Sequence, residues 1–158
     1  PTFRRALENL QLNPGISMKI DPINLGIGIK NEKRTINFYD EFKGSVSVTN
    51  DNHFVPKKKT KITKEEITLI NALDLLTSIR KEYLNIHIVC KIDCEGSEYE
   101  IFRSLSNLDP NLLPETFMVE WHYKGNEEIV QFLTKRNYLV FAFSPISDGI
   151  GMLYATRR

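Results

Sequence analysis

The chain is poor in cysteine, with Cys90 and Cys94 its only two. They stand four apart in one apolar run, so on a strand they would be about 13 Å apart, beyond disulfide reach. There is no C-x-x-C pair, and His53, His87 and His122 show no metal-ligand spacing. A disulfide scaffold and a zinc motif are therefore both excluded, and no metal is expected. The cysteines read as reduced packing residues of a cytoplasmic protein. No apolar run is long enough to span a membrane, and no leader pattern opens the chain. Charge of one sign is lacking too: 21 Lys and Arg against 20 Asp and Glu leave +1, which supplies no electrostatic pull toward nucleic acid or anionic lipid. The most basic stretch, Lys57-Lys58-Lys59 with Lys61, reads as a solvated loop. Gly26-x-Gly28 lacks the third glycine and the helix start of a phosphate loop. No Ser/His/Asp or Cys/His nucleophile arrangement, internal repeat or low-complexity tract is present.

What is present suits a soluble globular protein. Apolar residues make up 41% and charged residues 26% of 158 positions, enough for one domain over residues 1–158 with a real core. The most informative run spans residues 86–102. It opens as an apolar strand buried on both faces would, then places Asp93 and Glu95 two apart where that strand should end. Gly96 lets the backbone turn, and Ser97 with Glu100 reads as a capping box that starts a helix. If strand geometry persists to Glu95, both acids project to one side. In an open parallel sheet, ligands bind just beyond such strand ends.

The rest of the chain alternates strands and helices. Phe3, Ala6, Leu7 and Leu10 recur at helical spacing, and Asn13-Pro14-Gly15 stops that helix. Residues 16–29 are β-rich, interrupted at Asp21-Pro22, and residues 35–39 and 46–49 alternate as half-exposed strands do. Residues 67–70 look extended. Asn71 can cap a helix with Ala72, Leu76, Ile79 and Tyr83 on its inner face. After the strand to Asp93, a helix turns Phe102, Leu105 and Leu108 inward. A strand over 116–121 follows. Asn126 caps the next helix, with Glu127 and Glu128 in its first turn and Lys135 and Arg136 in its last. Residues 138–143 and 150–156 form a terminal hairpin. Two strand–helix units and a hairpin give an α/β sheet with an antiparallel edge strand.

Glu120 and His122 end the 116–121 strand on one side and would lie beside Asp93 and Glu95 if the two strands are neighbours. A histidine there can deprotonate a hydroxyl with a carboxylate's help. Trp121 points the other way, into the core. Asp93 can equally bind backbone N–H groups of its own turn, Glu95 can sit over a helix N-terminus, and Glu98 and Glu100 read as first-turn helix acids.

Lys91-Ile92-Asp93-x-Glu95-Gly96-x-Glu98 resembles the signature of the FkbM-type methyltransferases. Residues 1–13, Asn24-Leu25-Gly26-Ile27-Gly28, Gly44-Ser45 and Phe117-Met118-Val119-Glu120-Trp121-His122 resemble further family segments in the family's order. The resemblance implies a Rossmann-like methyltransferase fold, mostly parallel, with an antiparallel strand from the C-terminal hairpin. It implies S-adenosylmethionine as cofactor, a hydroxyl of a sugar, glycan or polyketide as acceptor, Asp93, Glu95, Glu120 and His122 as catalytic residues, and Asn24 and Asp93 toward the cofactor. The family's acidic glycine-rich turn after strand one and its acid after strand two have no counterpart here. Pro1 resembles the residue after that second acid, so this is expected to be a truncated domain without strands one and two. Residues 16–25 are then expected to pair with the 86–93 strand or with a neighbouring subunit. Two other functions compete: a non-catalytic α/β module recognising a polyol, and a metal-dependent hydrolase using the same four side chains as ligands.

Overall fold

The computed structural model describes residues 2–39, 61–143 and 149–158. The strand expected at 46–49 and the lysines at 57–59 lie outside them. Helix α1 (Thr2–Gln11) leads through Asn13 into the one-turn α2 (Pro14–Ser17), where Pro14 sits in the first turn and needs no N–H partner. Strand structure in the β-rich segment is confined to β1 (Gly26–Gly28), so residues 16–25 pair with neither the 86–93 strand nor any other described strand. Strands β2 (Glu32–Tyr39) and β3 (Ile62–Asn71) are antiparallel, and β1 pairs β3 in parallel, giving a three-stranded sheet ordered β1-β3-β2. The extended piece expected at 67–70 is the end of a strand of 10 residues.

Asn71 joins this sheet to α3 (Ala72–Glu82). Its side-chain oxygen accepts the Leu73 N–H at 2.8 Å, its Nδ2 donates to the Ile29 carbonyl at 2.8 Å, and its own N–H donates to Asn31 Oδ1 at 2.7 Å. The expected cap is therefore made, and the same side chain ties the end of β3 to the turn after β1. Ala72 and Leu76 are buried, whereas Tyr83 lies past the helix end and is half exposed.

The second sheet is ordered β4-β5-β7-β6, from β4 (Val89–Asp93), β5 (Thr116–His122), β6 (Tyr138–Ala142) and β7 (Ile150–Arg157). β4 and β5 are parallel, and β7 runs antiparallel to both β5 and β6. The antiparallel strand of the hairpin is thus interior, and β6 takes the edge. β4 also differs from expectation. It is an end strand with Val89, Lys91 and Asp93 exposed and Cys90 and Ile92 turned inward, instead of a strand buried on both faces.

Helices α4 (Glu98–Ser104) and α5 (Glu127–Thr134) pack on this sheet. Phe102, Leu105, Leu108, Phe117, Leu133 and Leu153 are buried together, and the Phe102 ring lies 5.5 Å from Phe117 and 5.1 Å from Phe132. Each such side chain contributes about 1.5–3 kcal/mol on leaving water. Trp121 is in the core as expected, and a Cβ at Gly151 would stand 2.3 Å from its ring. α5 ends at Thr134, so Lys135 and Arg136 fall beyond its last turn, and Asn126 makes no side-chain cap bond. Among the described residues no helix is long and apolar enough to cross a membrane.

Candidate functional site

The carboxyl ends of β4 and β5 set the site. Their parallel register places Asp93 directly beside Glu120, and His122 follows two residues on, on the same face. Asp93 is exposed, Glu120 half-buried, and His122 only 2% exposed. One ligand atom of each lies within 4.8 Å of the others. The histidine spacing along the chain conceals this, because the donors come from two strands.

Glu95 arrives by another route than expected. β4 ends at Asp93, and Glu95 (φ +54°) and Gly96 (φ +102°) both adopt left-handed conformations. That turn swings the Glu95 carboxylate to 3.8 Å from His122 Nε2, while Glu120 Oε1 stands 3.9 Å from the same nitrogen. A glutamate held at positive φ costs about 1–3 kcal/mol, and such residues concentrate at functional sites. Burial first, then the negative charges of Asp93, Glu98 and Glu120, hold the Glu95 carboxyl above its ordinary value, against the opposing pull of His122. Tyr123, also at positive φ, hydrogen-bonds the Glu95 side chain.

Behind this cluster lies a residue that the sequence pattern does not single out. Glu98 is fully buried, and its Oε1 accepts from the Cys94 N–H at 3.1 Å and the Gly96 N–H at 3.2 Å. The same oxygen stands 3.0 Å from His122 Nδ1. Glu98 thus pins the 94–96 turn and fixes the orientation of the imidazole. Its Oε2 has no hydrogen-bond partner. The capping box is not formed: Ser97 makes no side-chain cap bond, and Glu100 turns to Arg34 at 3.5 Å. The available signal was the glutamate two residues after a turn glycine, which can reach back to that turn's N–H groups.

Tyr99 supports the end of β5, its hydroxyl 2.9 Å from the His122 carbonyl and 2.7 Å from that of Gly125. Burial pushes this hydroxyl up to about 12, so it remains a donor. On the solvent side Lys91 Nζ pairs with Asp93 Oδ2 at 2.8 Å.

A cleft of about 860 Å³ opens between the end strands β1 and β4, lined by Asn24, Gly26, Ile92, Asp93, Glu95 and Ser97 among others. Glu120 and His122 are not part of its wall. Asp93 and Glu95 therefore stand between the cleft and the imidazole, and Asn24, exposed, faces the cleft apart from the other four. Cys90 and Cys94 are free thiols, and burial pushes Cys90 up to about 11 and raises Cys94 as well. Neither is a nucleophile at neutral pH.

The family model for the methyltransferase FkbM domain matches residues 4–140. No curated protein and no solved structure matches the chain.

Proposed function

The chain belongs to the FkbM methyltransferase domain family, and from that premise we propose that it acts as an S-adenosylmethionine-dependent O-methyltransferase on a hydroxyl of a sugar, glycan or polyketide-type acceptor. The observation that carries this reading is the convergence of Asp93, Glu95, Glu120 and His122 at the carboxyl ends of two adjacent parallel strands. Acids and one imidazole suit a hydroxylated acceptor, since methyl transfer to oxygen needs alignment, exclusion of water and at most one base. The order β4-β5-β7-β6 supports a Rossmann-like arrangement. The half-buried free thiols support a cytoplasmic protein.

The residues present fit one wall of a cofactor site. The cleft has the volume of small-molecule pockets, about 300–1,000 Å³, and Asn24, Asp93 and Glu95 offer it hydrogen-bonding oxygens. Asn24 and Asp93 would hold the cofactor, which supplies an electrophilic methyl group when bound. Asp93 and Glu95 put negative charge on the side of the cleft where a sulfonium is favoured. Glu120, paired with Asp93 across the two strands, is placed to orient the acceptor hydroxyl where the cleft meets the strand ends. Its proton passes to Glu95 Oε2 or His122 Nε2, the two basic atoms 3.8 Å apart. Glu98 holds the ring so that Nε2 faces that point.

The test is transfer of label from methyl-labelled S-adenosylmethionine to a panel of sugar and polyketide hydroxyls by the intact protein, with calorimetric titration of S-adenosylhomocysteine. Labelled methyl ethers are expected. Transfer to nitrogen or carbon acceptors alone, or no transfer despite bound S-adenosylhomocysteine, removes the O-methyl reading.

A further inference from the structure

We infer that the face of the second sheet turned away from α4 and α5 is an acceptor platform, on which Phe141, Phe143 and Tyr154 stack a second pyranose ring beside the one that is methylated. The identity of the reacting hydroxyl rests on the methyltransferase reading above; the sugar platform itself does not.

The register of the four strands lays this face out in rows. Asp93 pairs with Glu120 and Glu120 with Met152, and the Phe143 N–H extends that row by donating to the Met152 carbonyl at 2.9 Å. The neighbouring row reads Lys91, Met118, Tyr154 and Phe141. Paired positions share a face of a sheet. The acids of the candidate site and the three aromatic side chains therefore stand on one side. Phe117, Val119, Leu153 and Ala155 alternate with them and join the core with Phe102 of α4 and Ile129 of α5.

Rings of this size ordinarily leave water, yet Phe141 is 53%, Phe143 56% and Tyr154 36% exposed. Phe143 and Tyr154 already pack edge to face, with centroids 5.5 Å apart and planes at 82°. Two rings that hold one another lose little rotamer freedom when a ligand arrives. The face changes character across its width, polar at Lys91, Asp93 and Glu120 on β4 and β5 and aromatic on β6 and β7.

That division selects the ligand. Carboxylates and an ammonium bind hydroxyls, and an aromatic ring binds a flat apolar surface. A pyranose offers both, hydroxyls around its rim and C–H groups on its faces. The platform is open and covers one face of a ring, leaving the other to water, which suits a sugar. An aromatic aglycone is apolar on both faces and gains most in an enclosing pocket. Strand β6 lies two strand spacings from β5, about 10 Å. A ring whose hydroxyl meets Glu120 cannot also cover Phe141 and Phe143, whereas a second ring linked to it can.

Calorimetric titration of the intact protein, saturated with S-adenosylhomocysteine, tests the platform without turnover. The probes are methyl pyranosides of glucose, galactose, mannose and rhamnose, and the corresponding methyl disaccharides. We expect at least one disaccharide to bind about tenfold or more tightly than its monosaccharide. Phe141→Thr and Phe143→Thr, both at exposed positions, should remove that gain while monosaccharide binding, S-adenosylhomocysteine affinity and the thermal midpoint stay as in the parent. Phe141→Trp, which keeps a ring, should retain it. In turnover the same loss appears as a raised KM at unchanged kcat. No gain for any disaccharide, or a gain that survives both threonine variants, overturns the platform. A gain for p-nitrophenyl pyranosides and for no disaccharide overturns the second sugar in favour of an aromatic aglycone. Disaccharide binding that depends on Phe141, without methyl transfer to any sugar, leaves the platform standing and removes the methyltransferase reading. Methyl transfer to disaccharides that is indifferent to both threonine variants does the reverse.

Discussion

At position 98 a glutamate in the first turn of a helix would ordinarily be credited with a favourable place near the positive end of a helix dipole. Its actual partner, His122, is 24 residues away on β5, which is why local pattern alone places Glu98 below Asp93 and Glu95. The two acids at positions 93 and 95 were legible because a strand end, a glycine and a helix start occur together in sequence; the burial of Glu98 was not, because β5 provides it. Glu98→Ala would strand the Cys94 and Gly96 N–H groups and His122 Nδ1 in a buried place. It should lower unfolding free energy by about 3 kcal/mol in urea titration, and Glu98→Gln by less, since the amide oxygen still accepts. Asp93 lies at the opposite extreme, exposed and paired with exposed Lys91. Asp93→Asn should therefore cut methyl transfer about 10²-fold, the scale of a lost positioning contact, while leaving the thermal midpoint within a degree or so. A variant with full turnover would take Asp93 out of the site.

Among the elements, those with a strong internal period matched their reading: α3 with its Asn71 cap, β5 with Trp121 opposed to Glu120 and His122, and the β6–β7 hairpin. Residues 16–25 did not. Ile16, Met18 and Ile20 alternate as a strand would, yet all three are exposed, and Pro14 and Pro22 interrupt any ladder. Alternation proposes a strand, but a partner edge decides it. The position of β7 between β5 and β6 was equally beyond local pattern, though Gly151 carries a trace of it. The Trp121 ring fills the space a side chain would need there, so Gly151→Ala should destabilise by about 1–3 kcal/mol, measured as a lower urea midpoint. The start of β4 gives a pH-dependent case. Burial raises the Glu115 carboxyl, but the Ile88 N–H and the Arg80 guanidinium outweigh it and hold it below its ordinary 4.5. A depressed folded value means stability fully present above the unfolded value and lost as pH falls through the folded one. The stability difference between the parent and Glu115→Gln should thus be largest near neutrality and shrink below pH 4.5. A difference constant from pH 7 to pH 3 would show that Glu115 acts only by packing.

For the whole molecule the decisive feature is that the two sheets are joined through helices instead of through strands. Ser104 on α4 donates to Asn71 Oδ1 at 2.7 Å, and Glu100 on the same helix reaches Arg34 on β2 at 3.5 Å. The cleft between β1 and β4 takes its width from these contacts, and composition and periodicity carry no trace of them, since each links residues more than thirty positions apart. Arg34 is the larger of the two ties: 16% exposed, it also pairs with Glu32 at 2.6 Å. Replacing it by methionine keeps the packed stem and removes the charge. Arg34→Met should loosen the first sheet against α4 while sparing the second, which the Arg34–Glu100 pair does not touch. Native-state hydrogen exchange should then show faster exchange in β3 with β5 and β7 unchanged. If the cofactor spans the cleft, S-adenosylhomocysteine should also bind more weakly. Uniform loss of protection in both sheets would mean that they unfold as one unit, and unchanged S-adenosylhomocysteine affinity would place the cofactor against β4 alone.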